Sequence, residues 1–139
     1  MAAMHFEFVS PENVLFSGEV DQVDLPGAEG DMGILAGHAP LVTTLRPGIV
    51  TIFRGSAREP VVVTGGFAEV GPGGLTVLAD RAVARADFDL ATLAAEIKDA
   101  EEDVADATDP ALRDKLARHL DQLKALQAAL GTAAPAAGH

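Results

Sequence analysis

The sequence predicts an α+β protein, in which short strands that form a sandwich or barrel precede a pair of antiparallel helices. The composition changes near residue 86. Twelve of the 14 glycines lie within residues 1–86, and the other two are Gly131 and Gly138. Residues 1–86 are also rich in Val, Ile, Phe and Thr. Residues 87–130 contain no glycine and a single proline, and Ala, Leu, Asp and Glu dominate there. The first part has the composition of strands and turns, and the second that of helices.

Short alternating or apolar segments that end at Gly or Pro predict the strands of the first part. We expect strands at residues 5–9, 41–45, 49–53, 60–64, 67–70 and 75–78, and one long extended stretch over residues 14–25. Pro26-Gly27 ends that stretch, and a turn-rich loop is expected from Glu29 to Leu41. Strands this short, with turns about every 8–12 residues, are typical of sandwiches and barrels.

Apolar residues recur at helical spacing in the second part. The stripe of the first helix holds Leu90, Leu93, Ile97, Ala100 and Val104, and either Asp87 or Asp89 can cap its start. A second helix is predicted to begin at Asp109-Pro110, because aspartate at the N-cap and proline at the first helical position are a strong start signal. So short a break predicts an antiparallel hairpin.

Two rows of residues are expected to line the contact face of the second helix. One row holds Leu116, Leu123 and Leu130, and the companion row holds Leu112, His119 and Leu126. The His119 ring is therefore expected to pack between the helices. The sharper hypothesis is that its protonation near neutral pH loosens the hairpin.

Charge and composition exclude several classes of function. The chain has 10 Lys+Arg against 21 Asp+Glu, a formal net charge of −11, which argues against nucleic acid and anionic lipid as partners. There is no cysteine, so disulfides, thiolate zinc sites and a cysteine nucleophile are excluded. No apolar run approaches the roughly 20 residues that cross a bilayer, and no signal-peptide pattern is present. We expect a cytoplasmic protein without direct membrane insertion.

Catalytic and metal-binding constellations are missing from the sequence. The histidines are His5, His38, His119 and His139, and they show neither H-x-H nor H-x-x-x-H spacing. No G-x-S-x-G frame, P-loop or EF-hand frame occurs. We therefore expect no active site, no metal and no cofactor.

One long, ordered block is more specific than these patterns. It reads Leu25-Pro26-Gly27-Ala28-Glu29-Gly30-Asp31-Met32-Gly33-Ile34-Leu35-Ala36-Gly37-His38-Ala39-Pro40-Leu41 and continues with Thr43-Thr44-Leu45-Arg46-Pro47-Gly48. With residues 14–18, 64–70 and 76–80, it resembles the epsilon subunit of bacterial F-type ATP synthases, whose mitochondrial counterpart is called delta. The similarity covers about residues 4–130, nearly the whole chain.

The resemblance implies a fold and a role. The implied fold is a ten-stranded β-sandwich of two five-stranded sheets (1–86), a two-helix hairpin that can be regulatory (87–131) and a flexible tail (132–139). The family's subunit has no active site of its own. It sits on the foot of the gamma subunit beside the membrane ring of c subunits, turns with that rotor, and couples proton flow to ATP synthesis. The implied location is the cytoplasmic face of the bacterial inner membrane.

The resemblance also implies a partner surface. By the motif match, Asp31 lies toward the c-ring and the segment around His38 lies near the foot of gamma. The implied contact residues are Asp31, Met32, Gly33, His38, Ala39, Pro40 and Leu41. An apolar run in a loop is costly to expose unless a partner or the sandwich covers it. Ile34 and Leu35 can alternatively close the end of the sandwich.

The hairpin departs from the family members that bind ATP or inhibit hydrolysis. Some members bind ATP through [IL]-D-x-x-R-A, where this chain has Phe88-Asp89-Leu90-Ala91-Thr92-Leu93. Asp89 is kept, but Thr92 replaces the arginine and removes the phosphate partner, so we expect weak or no ATP binding. Four bases on the second helix could meet the catalytic alpha and beta subunits: Arg113, Lys115, Arg118 and Lys124. Acidic residues dominate 96–109, which predicts weak inhibition.

A stand-alone ligand-binding β-domain with an oligomerising helical tail is the alternative. Such a module would self-associate through Leu116, Leu123 and Leu130 and would not bind the gamma subunit. A rotor subunit would instead bind gamma through one face of the sandwich.

Overall fold

A computed structural model describes residues 3–133. The chain divides after Phe88 into two compact units, which we call the β unit and the helical unit. The β unit contains β1 (Met4–Ser10), β2 (Asn13–Val20), β3 (Gln22–Gly27), β4 (Gly30–Leu35), β5 (Leu41–Leu45), β6 (Gly48–Arg54), β7 (Ala57–Val63), β8 (Gly66–Gly71), β9 (Gly74–Ala79), β10 (Ala82–Ala84) and a 3₁₀ turn (Arg85–Asp87). The helical unit contains α1 (Leu90–Asp106) and α2 (Pro110–Ala133). Of the predicted tail 132–139, two residues belong to α2 and the others lie outside the described residues.

The ten strands form two five-stranded layers that share one connection. One layer has the order β10-β7-β6-β3-β4, and the other has the order β5-β8-β9-β1-β2. All pairs are antiparallel except β1 with β9, which run parallel. The layers join where Gly27 of β3 pairs with Leu45 of β5. The predicted fold class, a ten-stranded β-sandwich followed by two helices, is confirmed.

The core of the β unit lies between the layers and follows from strand alternation. Every second side chain of β1 points inward, so Phe6 and Phe8 are completely buried while His5 and Glu7 remain at the surface. Val23 and Leu25 of β3 and Val77 of β9 alternate in the same way. A buried side chain of this size contributes about 1.5–3 kcal/mol, so this interface holds the β unit together.

The long extended stretch predicted for residues 14–25 is two strands instead of one. It breaks at Asp21, whose backbone N–H donates to the Phe53 carbonyl and whose Oδ2 accepts from the backbone of Gly55 at 2.6 Å. This corner sends β2 into one layer and β3 into the other. The residues that bond Asp21 lie 32 and 34 positions away in the chain, so the sequence around Asp21 does not indicate this corner.

The prediction of a loop from Glu29 to Leu41 is wrong for residues 30–35, which form β4. Its glycines look like turn residues, but Gly33 is a strand residue opposite Asp24. A Cβ atom at Gly33 would lie 3.1 Å from Asp24 Oδ1 and 3.2 Å from Gln22 Nε2. The glycine therefore meets a packing demand of the β3–β4 hairpin.

The helices begin where the caps predict. The Asp89 side chain caps α1 by accepting from the backbone of Ala91 at 2.9 Å. Asp109 Oδ2 accepts from the Leu112 backbone at 3.3 Å at the start of α2, with Pro110 as its first residue. The Arg113 guanidinium donates to the Ala107 carbonyl at 2.6 Å, which supplies a partner to the end of α1.

The prediction that they line the helix contact is wrong for three residues. His119 is exposed, Leu90 is 53% exposed and Leu112 is 47% exposed. The half-buried residue at this point of α2 is the neighbouring Leu120. Because consecutive residues lie about 100° apart around a helix, His119 falls outside the buried stripe. The polar His119 ring stays hydrated, so the hypothesis of a pH-sensitive histidine between the helices loses its basis. The buried residues of the helical unit are Leu93, Ile97, Ala100, Ala107, Leu123, Leu126 and Leu130.

Candidate functional site

The β3–β4 hairpin ends in a two-residue turn, Ala28-Glu29, that projects its side chains into solvent. Gly27 and Gly30 form the last pair of the ladder. Just beyond this pair lies Asp31, whose side chain is 78% exposed. We call residues 28–31 the acidic tip. It presents two carboxylates on a hairpin that its strand pairing holds in place.

One arginine holds the acidic tip. Arg46 Nη1 donates to the Gly27 carbonyl at 2.8 Å, and its Nη2 donates to Asp31 Oδ1 at 2.5 Å. The two acceptors lie on opposite arms of the hairpin, so one planar group joins both arms. Sequence reasoning missed this pair, because it spans 15 residues and depends on the pairing of β3 with β5.

The apolar residues of β4 divide between core and surface by strand alternation. Ile34 is completely buried, and Met32 is half-buried against the core. Leu35 is 51% exposed. The hypothesis that these residues close the end of the sandwich is confirmed for Ile34 and wrong for Leu35, and the hypothesis that the run contacts a partner stays a prediction.

The loop from residue 36 to residue 40 follows β4 and is exposed along its whole length. Gly37 adopts φ of 84°, a left-handed conformation that glycine reaches without strain. The His38 ring donates from Nδ1 to the Ala39 carbonyl at 2.8 Å, which makes His38 a loop anchor. We call residues 35–40 the apical loop. Leu41, the first residue of β5, is half-buried against the core.

A shallow cavity of about 360 Å³ lies beside the apical loop. Its wall combines apolar and polar side chains of the loop, of β1 and of the β8–β9 turn, among them Met4, His5, Leu35, His38, Pro40 and Val70. The cavity is open to solvent and holds no buried charge. Its shape suits an inserted side chain of a partner better than an enclosed small molecule.

An apolar row crosses the outer face of the second layer. Phe67 pairs with Leu78, Leu78 with Val9, and Val9 with Val14, so these side chains stand side by side on the face away from the core. Val42 lies on the same face, diagonal to Phe67, and is 68% exposed. We call these five residues the outer patch. Exposed apolar clusters of this kind mark interaction surfaces.

The sequence of β5 contains a pattern that indicates the outer patch. The segment Leu41–Leu45 places the apolar Val42 between two inward-facing positions, so both faces of β5 carry apolar groups. A strand of an antiparallel sheet with one solvated face normally alternates between apolar and polar residues.

A polar cluster links β1 and β2 on the same outer face. His5 Nδ1 lies 3.0 Å from Glu19 Oε2, and His5 Nε2 lies 2.6 Å from Glu7 Oε2. Ser17 Oγ donates to Glu7 Oε2 at 2.5 Å. The hydrogen bonds to Glu19 and then to Glu7 raise the pKa of His5, and those from Ser17 and His5 lower the pKa of Glu7. The cluster is exposed and joins two strands, and sequence reasoning assigned it no role.

Asp89 and Thr92, the residues of the altered ATP motif, hydrogen-bond to each other at the start of α1. Thr92 Oγ1 donates to Asp89 Oδ2 at 2.7 Å while Asp89 caps the helix. These bonds, first that of the Thr92 hydroxyl and then those of the backbone, lower the pKa of Asp89. The carboxylate is committed to the start of α1.

The four bases of α2 differ in their surroundings. Arg113 donates to the Ala107 carbonyl, and Lys124 Nζ lies 3.4 Å from Glu101 Oε2. Lys115 and Arg118 are exposed. Two of the four predicted regulatory bases therefore already have partners inside the hairpin.

Among residues 3–130, whose burial the structure describes, no polar or charged residue is buried, and no group of His, Cys, Asp or Glu residues is placed to hold a metal ion. In the same part of the chain, no helix is long and apolar enough to cross a membrane. The arrangement supplies exposed surfaces on a rigid sandwich, which is what a binding module needs.

Comparison with known proteins agrees with this class. Residues 3–85 match the sequence model of a family described as ATP synthase, Delta/Epsilon chain, beta-sandwich domain. The ATP synthase epsilon chain of Rhodopseudomonas palustris is 52% identical over 134 residues, which cover 96% of this chain and 98% of that relative. The epsilon chain of Parvibaculum lavamentivorans is 53% identical over 125 residues, 89% of this chain and 95% of that one.

Solved structures agree as well. A chain of the Euglena gracilis mitochondrial ATP synthase, in a complex of OSCP, F1 and c-ring, superposes with a TM-score of 0.77 at 28% identity, over 94% of this chain and 82% of that chain. A chain from the central stalk and c-ring of the Tetrahymena thermophila mitochondrial ATP synthase has a TM-score of 0.54 at 14% identity, over 60% of this chain and 68% of that chain, and shows the fold alone. The chain belongs to the ATP synthase delta/epsilon family, and the resemblance seen in the sequence is confirmed.

Proposed function

We propose that this chain is a non-catalytic subunit of the central stalk of a proton-translocating F-type ATP synthase. In this role it links gamma to the c-ring and helps to couple proton flow to ATP synthesis. The observation that carries the proposal is a rigid β-sandwich with three exposed surfaces: the acidic tip, the apical loop and the outer patch. The Euglena relative, which comes from a complex with F1 and the c-ring, supports the same assignment.

The tip and the loop would form the surface toward the c-ring and the foot of gamma. The acidic tip offers carboxylates to polar groups of a partner, with Asp31, Met32 and Gly33 at its base. The apical loop offers His38, Ala39 and Pro40 beside the cavity, and Leu41 anchors the loop to the core. Rigid backbone on both sides of each segment lowers the entropy cost of binding.

The outer patch would take an apolar surface of gamma. Val14 is 66% exposed and Phe67 is 42% exposed, so their burial by a partner removes apolar area from water. A face of this kind suits a permanent subunit contact, because such contacts resemble a protein core cut in half.

The hairpin would regulate ATP hydrolysis only weakly. All four bases of α2 are exposed, but Arg113 and Lys124 make contacts inside the hairpin, which leaves Lys115 and Arg118 as the better candidates to meet the catalytic alpha and beta subunits. Asp89 is committed to capping, and Thr92 offers no cation for a phosphate. We expect no saturable ATP binding below millimolar concentration by calorimetry.

The oligomerising module remains the second candidate, and the hairpin argues against it. Leu123 and Leu130 are 4% and 1% exposed, so two of the three leucines of the proposed oligomer contact are already covered.

For a central-stalk subunit, the location would be peripheral, on the cytoplasmic face of the bacterial inner membrane.

Co-elution tests the proposal. The chain is mixed with a matching gamma-containing catalytic head that has been stripped of its epsilon subunit, and the mixture is run on a sizing column. We expect one copy to move with each head. A chain that stays free while the head is intact would contradict the proposal and favour the ligand-binding module.

A further inference from the structure

Arg46 occupies the seam between the two layers of the sandwich. It is the first residue after β5, and its backbone N–H donates to the Pro26 carbonyl of β3 at 3.0 Å. The Ala28 backbone N–H donates to the Thr44 carbonyl at 2.9 Å, next to the Gly27–Leu45 pair. The backbone of Arg46 is therefore fixed against the very hairpin that its side chain reaches.

The guanidinium group of Arg46 joins the two arms of that hairpin. One nitrogen bonds the Gly27 carbonyl before the turn, and the other bonds the Asp31 carboxylate after it. A planar fork of donors can satisfy two acceptors at a fixed separation, whereas a lysine ammonium is a single point of charge. The geometry thus uses what is specific to arginine.

Little of this contact is needed for folding. The side chains of Arg46 and Asp31 are 33% and 78% exposed, and exposed ion pairs contribute little to stability. The β3–β4 ladder and the buried Leu25 and Ile34 already hold the hairpin. What the contact does fix is the position of the Asp31 carboxylate, which keeps further lone pairs for another donor.

We propose that Arg46 is a positioning residue for partner binding, which holds the acidic tip so that the Asp31 carboxylate meets a hydrogen-bond donor of the c-ring surface. This inference rests on the proposed function of the tip. Without Arg46, the Asp31 side chain loses its anchor although the ladder still holds the backbone, and a partner must order the Asp31 carboxylate as it binds. That ordering costs affinity.

The test measures binding of full-length variants to an immobilised complex of gamma and the c-ring. Arg46→Met removes both hydrogen bonds and keeps much of the aliphatic stem, and Arg46→Lys keeps the charge. Arg54→Met is the matched control, because Arg54 also forms an ion pair at the surface, with Glu59, at another hairpin. Urea unfolding of each variant measures stability separately.

We expect Arg46→Met to weaken binding up to about tenfold, the effect of having to order one side chain on binding, while Arg54→Met stays within about twofold. Arg46→Lys should recover only part of the affinity. Asp31→Asn should weaken the binding of the Arg46→Met variant by a smaller factor than it weakens the binding of the wild-type chain, because the two residues act as one unit.

Two outcomes would overturn the inference. One is Arg46→Met binding as tightly as the wild-type chain. The other is an affinity loss that Arg54→Met or the change in unfolding free energy reproduces, which would make the role of Arg46 purely structural. If the wild-type chain itself fails to bind the complex, the proposed function fails, and that result is distinct from both.

Discussion

The β unit and the helical unit are stabilised by cores of different kinds. All six phenylalanines of the chain lie at or before Phe88, and Phe6 and Phe8 are completely buried between two layers of sheet. The helical unit has no aromatic residue, and its buried positions are filled by Leu, Ile and Ala. A buried methyl or methylene group contributes about 0.8 kcal/mol, so an alanine adds little where a phenylalanine adds several times as much.

This difference teaches where the chain can change shape. Regions with few buried apolar groups open at lower free energy than the main core. The β unit is suited to hold fixed binding surfaces, and the helical unit is suited to respond to its surroundings. The changes below test that contrast, from the largest expected effect to the smallest.

Phe6→Ala should destabilise the β unit most. The side chain is completely buried and its ring lies 5.6 Å from that of Phe8 and 5.7 Å from that of Phe16, so truncation leaves a cavity. We expect the free energy of unfolding to fall by about 3–5 kcal/mol in urea titrations. Phe67→Ala, on the outer face, is the control and should cost far less. Equal losses in the two variants would argue against the core as described.

Leu126→Ala should destabilise the helical unit alone. Leu126 is 1% exposed, so we expect a loss of about 2–5 kcal/mol, the range for truncating a buried leucine. Far-ultraviolet circular dichroism follows the loss of helix. Leu112→Ala on the same helix, where the side chain is 47% exposed, is the matched control. A large effect of Leu112→Ala would mean that another surface of α2 is buried.

Asp89→Ala should loosen the first turn of α1 without unfolding the hairpin. The variant loses the cap to the Ala91 backbone, the bond from Thr92 and a negative charge at the helix N-terminus. Hydrogen exchange of the Ala91 and Thr92 amides should become faster, with less effect toward the end of the helix. Asp87→Ala removes a nearby acid that is not the cap, and it should leave these amides unchanged.

His5→Gln should change how stability depends on pH. The pKa of His5 is raised above its ordinary value of 6.5, so its carboxylate contacts stabilise the fold fully below pH 6.5, and this contribution is lost as the pH rises through the folded-state pKa. Thermal unfolding on both sides of pH 6.5 should show this loss in the wild-type chain and a flatter profile in His5→Gln.

Much of the fold could be predicted because its signals are local. Alternation identified β1, and caps at Asp89 and Asp109 placed the starts of both helices. The errors arose where distant partners decide. Gly33 reads as a turn residue until Asp24 and Gln22 are placed beside it, and the bend at Asp21 depends on Phe53 and Gly55. His119 fits a seven-residue row, but the partner helix covers a different stripe.

The candidate site was predictable only in part. The motif match pointed to residues 31–41, and the structure places all of them at β4, the apical loop and the start of β5. Which side chains are open could not be read from the motif, since burial of Ile34 and exposure of Leu35 follow from the register of β4. The Arg46 brace and the outer patch require strand pairing, which the sequence does not specify.

The affinity of two surface variants for the same gamma and c-ring complex tests the central claim most directly. The double variant Val42→Glu with Phe67→Glu places charge on the outer patch of the β unit. The double variant Lys115→Glu with Arg118→Glu reverses the sign of two exposed positive charges of the helical unit. Our account predicts that the first variant loses binding at least about a hundredfold while remaining folded, since carboxylates would be desolvated in an apolar contact, and that the second binds like the wild-type chain. The reverse pattern would contradict the claim that the β unit holds the assembly together.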